Sequence, residues 1–227
     1  MGQKISVELF RAKQKMANTT NKNASIVSTP KSMWFANGKT YGKVLLQDYK
    51  LREFLDVRLY GLGVAKVEIR RFFRKLEIII HSTKPGLIIG RGGELINGLK
   101  QDLIKKFKLS EDLKLSIQEF RDPNRSAKVI AEDIASALKK RVPFRKVAKN
   151  YIDRIRYAGV LGAKIVIKGR LNGADIARKE EFTFGSIPRH TIDSQIDVCH
   201  VDCHTFAGVI GVRVYLYLGD KLTNYSF

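Results

Sequence analysis

Between Lys84 and Leu95 the chain reads KPGLIIGRGGEL, a proline and an apolar triplet running into three glycines around one arginine. Glycine accepts positive φ and lets another chain reach its amides, yet within regular structure it costs about 0.5–1 kcal/mol against alanine. Gly90, Gly92 and Gly93 therefore predict a turn, a ligand cradle, or both. Phosphate is the natural guest, because bare amides and the Arg91 fork both donate to anionic oxygens. The nucleotide-binding loops do not fit. Gly86 is followed by Gly90 one residue too early for a P-loop, and no Lys-Ser/Thr pair follows; the dinucleotide pattern lacks its third glycine.

Two further groups have the right chemistry to be tested. The segment Val142 to Tyr157 sorts on a helical wheel into an apolar stripe of Phe144, Ala148, Tyr151 and Ile155. A face of Arg145, Lys149 and Arg156 lies roughly 100° away, with Lys146 further round. Such a row is either a solvated face or a phosphate-facing one. Cys199, His200, Cys203 and His204 place four potential metal ligands within six residues. A tetrahedral structural site normally pairs such a half with a distant second half, and there is no other cysteine. Alternation along an extended segment also turns neighbouring ligands to opposite faces. Strand-end thiols and imidazoles, not a metal site, are the expectation, and no cofactor is indicated.

Charge selects among partners. The formal charge is +20 with a pI near 10.0, and 44% of residues are hydrophobic, which describes a folded protein with a polyanionic partner. The excess is confined to residues 1–170, at +22; the last quarter carries −2. No apolar run approaches the roughly 20 residues that span a bilayer, so no membrane partner is expected. Two cysteines offer no disulfide framework, in keeping with a reducing, intracellular compartment. No Ser-His-Asp or paired-carboxylate arrangement suggests an enzyme or a small-molecule substrate.

The elements that must position these groups follow from periodicity. Residues 1–40 are rich in Lys, Asn, Thr and Ser and read as a basic arm ordered against a partner. Leu45, Leu46, Tyr49, Leu51, Phe54 and Leu55 recur at helical spacing to about Leu59. Ala65, Val67 and Ile69, then Leu76, Ile78 and Ile80, alternate as two strands. After the glycine turn a helix runs from Glu94 to about Phe107, burying Ile96, Leu99, Leu103 and Phe107, and a strand follows with Leu113, Leu115 and Ile117 on one face. Two helices, about 125–141 and 144–157, precede strands around Ala163–Ile167, Phe182–Phe184, Ile192–Val198 and Val212–Leu218. The expected fold is α+β in two domains, residues 41–121 and 122–227, the second with a mainly antiparallel sheet, behind an arm at 1–40.

A G-x-x-G turn joining two helices beside a small sheet is the nucleic-acid clamp of a KH domain, whose loop holds about four unpaired nucleotides. The order αββααβ is that of the type II form. On this reading Gly90, Arg91, Gly92 and Gly93 meet the backbone, and Leu87, Ile88 and Ile89 wall the groove where bases lie.

The whole chain resembles small-subunit ribosomal protein S three of bacterial or organellar type. The resemblance rests on Met1-Gly-Gln-Lys4, Pro85–Gly93, Phe144-Arg-Lys146, Leu161-Gly-Ala-Lys164, Gly169–Arg178, Ile187–Thr191, Ile196-Asp197 and Gly208–Val212. It implies a structural constituent of the ribosome, in the bacterial cytoplasm or an organelle matrix. It further implies binding to small-subunit rRNA in the head, contacts with neighbouring proteins of the S ten and S fourteen families, and a place at the channel by which mRNA enters. Arg145, Lys146 and Lys149 match the basic residues thought to help unwind structured mRNA. A freestanding KH-type RNA chaperone or regulator is the rival reading; it would share the loop without needing the block from Gly169 to Val212.

Overall fold

Positive-φ glycines at 61 and 63 end the first long helix and start the first hairpin, so the N-terminal sheet begins where the helical spacing of leucines stops. The structure, a computed structural model, describes residues 31–72, 75–107 and 112–220. Most of the 1–40 arm expected from composition lies outside these residues. Its last ten residues do not behave as an arm.

The chain divides into two units, residues 30–121 and a second one that includes residues 122–227, each with its own hydrophobic cluster. In the first, strand β1 (Ser32–Met33) leads to helix α1 (Gly38–Arg58) and the hairpin β2 (Val64–Phe72) and β3 (Lys75–Ser82). Short helix α2 (Pro85–Ile89), a 3-10 turn over Arg91–Gly93, helix α3 (Glu94–Phe107) and strand β4 (Asp112–Glu119) follow. The sheet order is β1-β2-β3-β4, with β2 and β3 antiparallel and the outer pairings parallel. This is the αββααβ arrangement with one short strand added at the edge.

That strand was not legible locally, because two residues make no periodic signal. One side chain accounts for it. The Arg52 guanidinium on α1 donates to Asp48 Oδ2 at 3.1 Å, to the Val67 carbonyl of β2 at 3.2 Å, to Ser32 Oγ at 2.6 Å and to the Lys31 carbonyl. Ser32 Oγ in turn donates to the buried Asp48 at 2.9 Å. A half-buried arginine thus pins β1, α1 and β2 together, and the buried carboxylate has charged and neutral donors to offset its desolvation.

Helix α1 buries Leu51 and Leu55, and Leu59 just past its end continues the same spacing, against Val67, Ile69, Leu76, Ile78 and Leu103. Leu45, Leu46 and Tyr49 share its apolar pattern but are exposed, so the sequence marked a longer core face than the sheet covers. On α3, Leu99 and Leu103 are buried as expected, whereas Ile96 and Phe107 are half-buried.

The second unit opens with α4 (Ala127–Lys139) and α5 (Phe144–Tyr157), followed by β5 (Gly162–Gly169), β6 (Arg178–Gly185), β7 (Ser194–Thr205) and β8 (Gly208–Asp220). The sheet order β6-β5-β8-β7 is antiparallel throughout. Helix α4 is shorter at both ends than periodicity suggested, since Asp122 to Ser126 form a separate turn and Arg141 takes a positive φ of 63°. Both helices lay their apolar faces on one side of the sheet, where Ile130, Ile134, Ala148, Ile155, Ile165, Ile167, Val212 and Val214 form a close-packed cluster. This core fixes the position of α5 and leaves its basic side in water.

Candidate nucleic-acid interface

At the glycine turn, Gly90 has φ 74°, and a Cβ there would sit 2.6 Å from Leu95 Cγ. Only glycine lets the first turn of α3 fold back this closely. A Cβ at Gly92 (φ 60°) would meet nothing, and one at Gly93 (φ 82°) would meet Asn97 and Ile96 only at ordinary van der Waals distance, so at both positions the backbone angle is what excludes side chains. The amides of Gly90 and Gly93 are used, by the Gly86 and Gly90 carbonyls at 3.0 and 3.5 Å. Those of Arg91 and Gly92 find no acceptor among the described residues, and the Arg91 side chain is exposed. The turn therefore presents two donor amides and a cation to solvent, the chemistry of a phosphate cradle.

The apolar wall differs from the one the sequence suggested. Leu87 and Ile89 are exposed, at 53% and 39%, but Ile88 is buried in the core of the unit. Its place in the exposed shelf is taken by Leu95, 60% exposed, which lies over Gly90. The three residues cannot share one wall because successive positions of a helix point about 100° apart, and Ile88 is the one that turns inward.

On α5, Phe144, Val147, Ala148 and Ile155 are buried, with Tyr151 half-buried. Arg145, Lys146, Lys149 and Arg156 are exposed, and Pro143 supplies the carbonyl that accepts from Lys146 and Val147, both at 3.1 Å. The cations are not equivalent. Arg145 lies over the Phe144 ring at 5.6 Å and reaches Glu180 Oε1 at 3.5 Å, while Arg156 covers Phe184 at 5.4 Å. Lys146 and Lys149 make no ion pair among the described residues. Two basic side chains of the sheet are already matched. Lys164 and Lys179 both pair with Glu181, whose carboxyl their hydrogen bonds hold down at about 2. The Glu181 pair thus keeps its charge down to pH values well below those at which carboxylates usually protonate.

The Gly169–Arg178 block has a structural explanation. Arg170 donates from Nε to the Ala174 carbonyl at 2.8 Å, from Nη1 to the Ala207 carbonyl at 3.1 Å, and from Nη2 to Asp175 at 3.1 Å. It ties the Leu171–Gly173 turn, where Asn172 and Gly173 take positive φ, to the tip of the β7–β8 hairpin. Sequence reasoning missed this role, and it missed Glu180, which lies 35 residues from the arginine it meets.

The cysteine and histidine cluster falls within β7. Cys203 is buried and its thiol donates to the Ala135 carbonyl at 3.1 Å, whereas His200 and His204 are exposed. Burial pushes the Cys203 thiol up from its ordinary value. Iodoacetamide at pH 8 is accordingly expected to alkylate half-buried Cys199 in the native chain and spare Cys203, with both modified after unfolding. Equal native labelling would show that this strand does not pack on α4 as described.

The sheet, the paired helices and the glycine turn between them define a KH-domain RNA-binding protein. A family profile described as KH domain matches residues 50–125, and one described as Ribosomal protein S3, C-terminal domain, matches residues 134–216. The chain is 39% identical over 222 residues to the Small ribosomal subunit protein uS3 of Caldicellulosiruptor saccharolyticus, covering 98% of this chain and 94% of that one. It is 37% identical to the uS3c protein of Pyropia yezoensis, covering 98% and 91%, and 34% identical to that of Guillardia theta, covering 100% and 99%. The chain belongs to the uS3 family of small ribosomal subunit proteins, which are structural components of ribosomes and not enzymes. Among the described residues no helix is long and apolar enough to cross a membrane.

Proposed function

We propose that this chain binds small-subunit rRNA in the head of the subunit and lines the channel by which mRNA enters, where it helps to open structured messages. The observation that carries the reading is the row Arg145, Lys146 and Lys149, three exposed cations on one helix whose apolar face is locked into a core of buried residues. A row fixed in this way needs no nucleotide hydrolysis of its own. When translocation pulls the message past it, phosphates of the single strand gain contacts that paired strands, held in fixed geometry, cannot make equally well. Opened nucleotides are then favoured over re-paired ones.

The KH turn supplies a second, separate RNA contact through Gly90, Arg91, Gly92 and Gly93, with Ile89 and its exposed neighbours as the apolar wall. Neighbouring small-subunit proteins of the S ten and S fourteen families complete the proposed surroundings. Sedimentation of small subunits through high salt tests the placement. An integral protein stays with the particle, whereas a freestanding KH chaperone held mainly by phosphate contacts washes off as log affinity falls with log salt. Release at salt concentrations that leave other head proteins bound would refute the reading.

A further inference from the structure

The start of α5, the Leu171–Gly173 turn and the start of β6 border a half-open cavity of about 430 Å³. Two arginines line it, Arg145 and Arg178, together with a single carboxylate, Glu180. Its charge is therefore net positive. Arg178 is exposed and makes no ion pair among the described residues. Arg145 is held by Glu180 at 3.5 Å, well outside the roughly 2.7–2.9 Å of a strong charge-assisted bond, so the pairing is loose. The opposite wall is stiff, because Arg170 fixes the turn through three side-chain bonds.

An aromatic platform adjoins the cavity. Phe206, at the tip of the β7–β8 hairpin, is 78% exposed, and its Cζ lies 3.7 Å from where a Cβ on the cavity-lining Gly173 would stand. The Arg141 guanidinium sits over the same ring at 4.8 Å. An exposed ring backed by a cation and set beside a cationic cavity is the combination that single-stranded nucleic acids use, with stacking for the base and guanidinium for the phosphate. The volume is within the range of small-ligand pockets and suits a nucleotide.

We propose that this cavity is a subsite for one nucleotide of single-stranded RNA, its phosphate held between Arg178 and Arg145 and its base stacked on Phe206. Glu180 is the internal carboxylate that Arg145 exchanges for that phosphate. The proposal deepens the reading of the α5 row as an RNA-facing surface and rests on it.

The test is fluorescence anisotropy of a labelled ten-nucleotide oligouridine on the full chain, over a salt series, in an Arg91→Ala background that weakens the KH turn. Arg178→Ala should weaken binding about tenfold at low salt and lower the salt slope by about 0.7, the value for one phosphate contact on a single strand. Phe206→Ala should weaken it at least fivefold with the slope unchanged. Glu180→Gln should tighten binding, and should lose that effect when Arg145 is also alanine. Thermal melting checks each fold, and Arg178→Gln replaces the alanine variant if that one melts early. If Lys146→Ala with Lys149→Ala weakens binding while the Arg178 and Phe206 variants do not, the subsite is wrong and the α5 reading stands. If none of them weakens binding, both fall.

Discussion

Ribosomes carrying alanine at Arg145, Lys146 and Lys149 together are expected to slow on the order of tenfold at a stable mRNA hairpin, the loss of about 1.4 kcal/mol of differential contact with the opened strand. Unstructured messages should be translated within about twofold of the normal rate. The asymmetry follows from geometry. All three side chains are exposed, and the single ion pair they make among the described residues, Arg145 with Glu180, is 70% and 34% exposed, so its loss costs little stability. The backbone of α5 is held by Phe144, Val147, Ala148 and Ile155, which the substitutions leave in place. What changes is the attraction for single-stranded phosphate, which matters only when a duplex competes. Translation rates on paired reporters with and without a hairpin measure the effect, and equal slowing on both would separate the row from unwinding.

Ile165→Ala is expected to destabilise the second unit by about 3 kcal/mol, within the range of about 2–5 kcal/mol for a large aliphatic side chain truncated in a core. Ile165 is fully buried on β5, a central strand with β6 on one side and β8 on the other, and it belongs to the cluster that seats α4 and α5. The truncation removes no basic side chain. A fall in the denaturant midpoint with unchanged slope would show the loss of packing, while RNA affinity of the still-folded fraction should be preserved. A change below 1 kcal/mol would mean that the sheet and helices are not packed as tightly as the burial indicates. Taken with the surface variant, it separates the two duties of α5: one face stands on the core, and the other meets RNA.

The α+β order was legible because each element has a strong local period. Val67 and Ile69, then Leu76, Ile78 and Ile80, alternate and do form the hairpin, and the helix from Phe144 to Tyr157 has the limits its pattern implied. The glycine turn was legible for the same reason, since three glycines within four residues have few other uses. What escaped was set by long-range contact. Strand β1 exists because Arg52 meets residues 20 positions away, and Glu180 meets Arg145 only after β6 folds beside α5. The apolar run of α1 overstated the core because periodicity records which residues share a face and not how far a neighbouring sheet extends. Ile88 left the expected shelf because adjacent residues of a short helix cannot all face one way, and Leu95 joined it through a fold-back over Gly90 that no local pattern records.

A photo-reactive p-benzoylphenylalanine in place of Lys149, activated in ribosomes stalled on a defined message, addresses the central claim most directly. Cross-links to message nucleotides on the downstream side of the decoding site, lost when a truncated message does not reach that far, are the predicted result. Cross-links confined to rRNA and neighbouring proteins, whatever the length of the message, would contradict it.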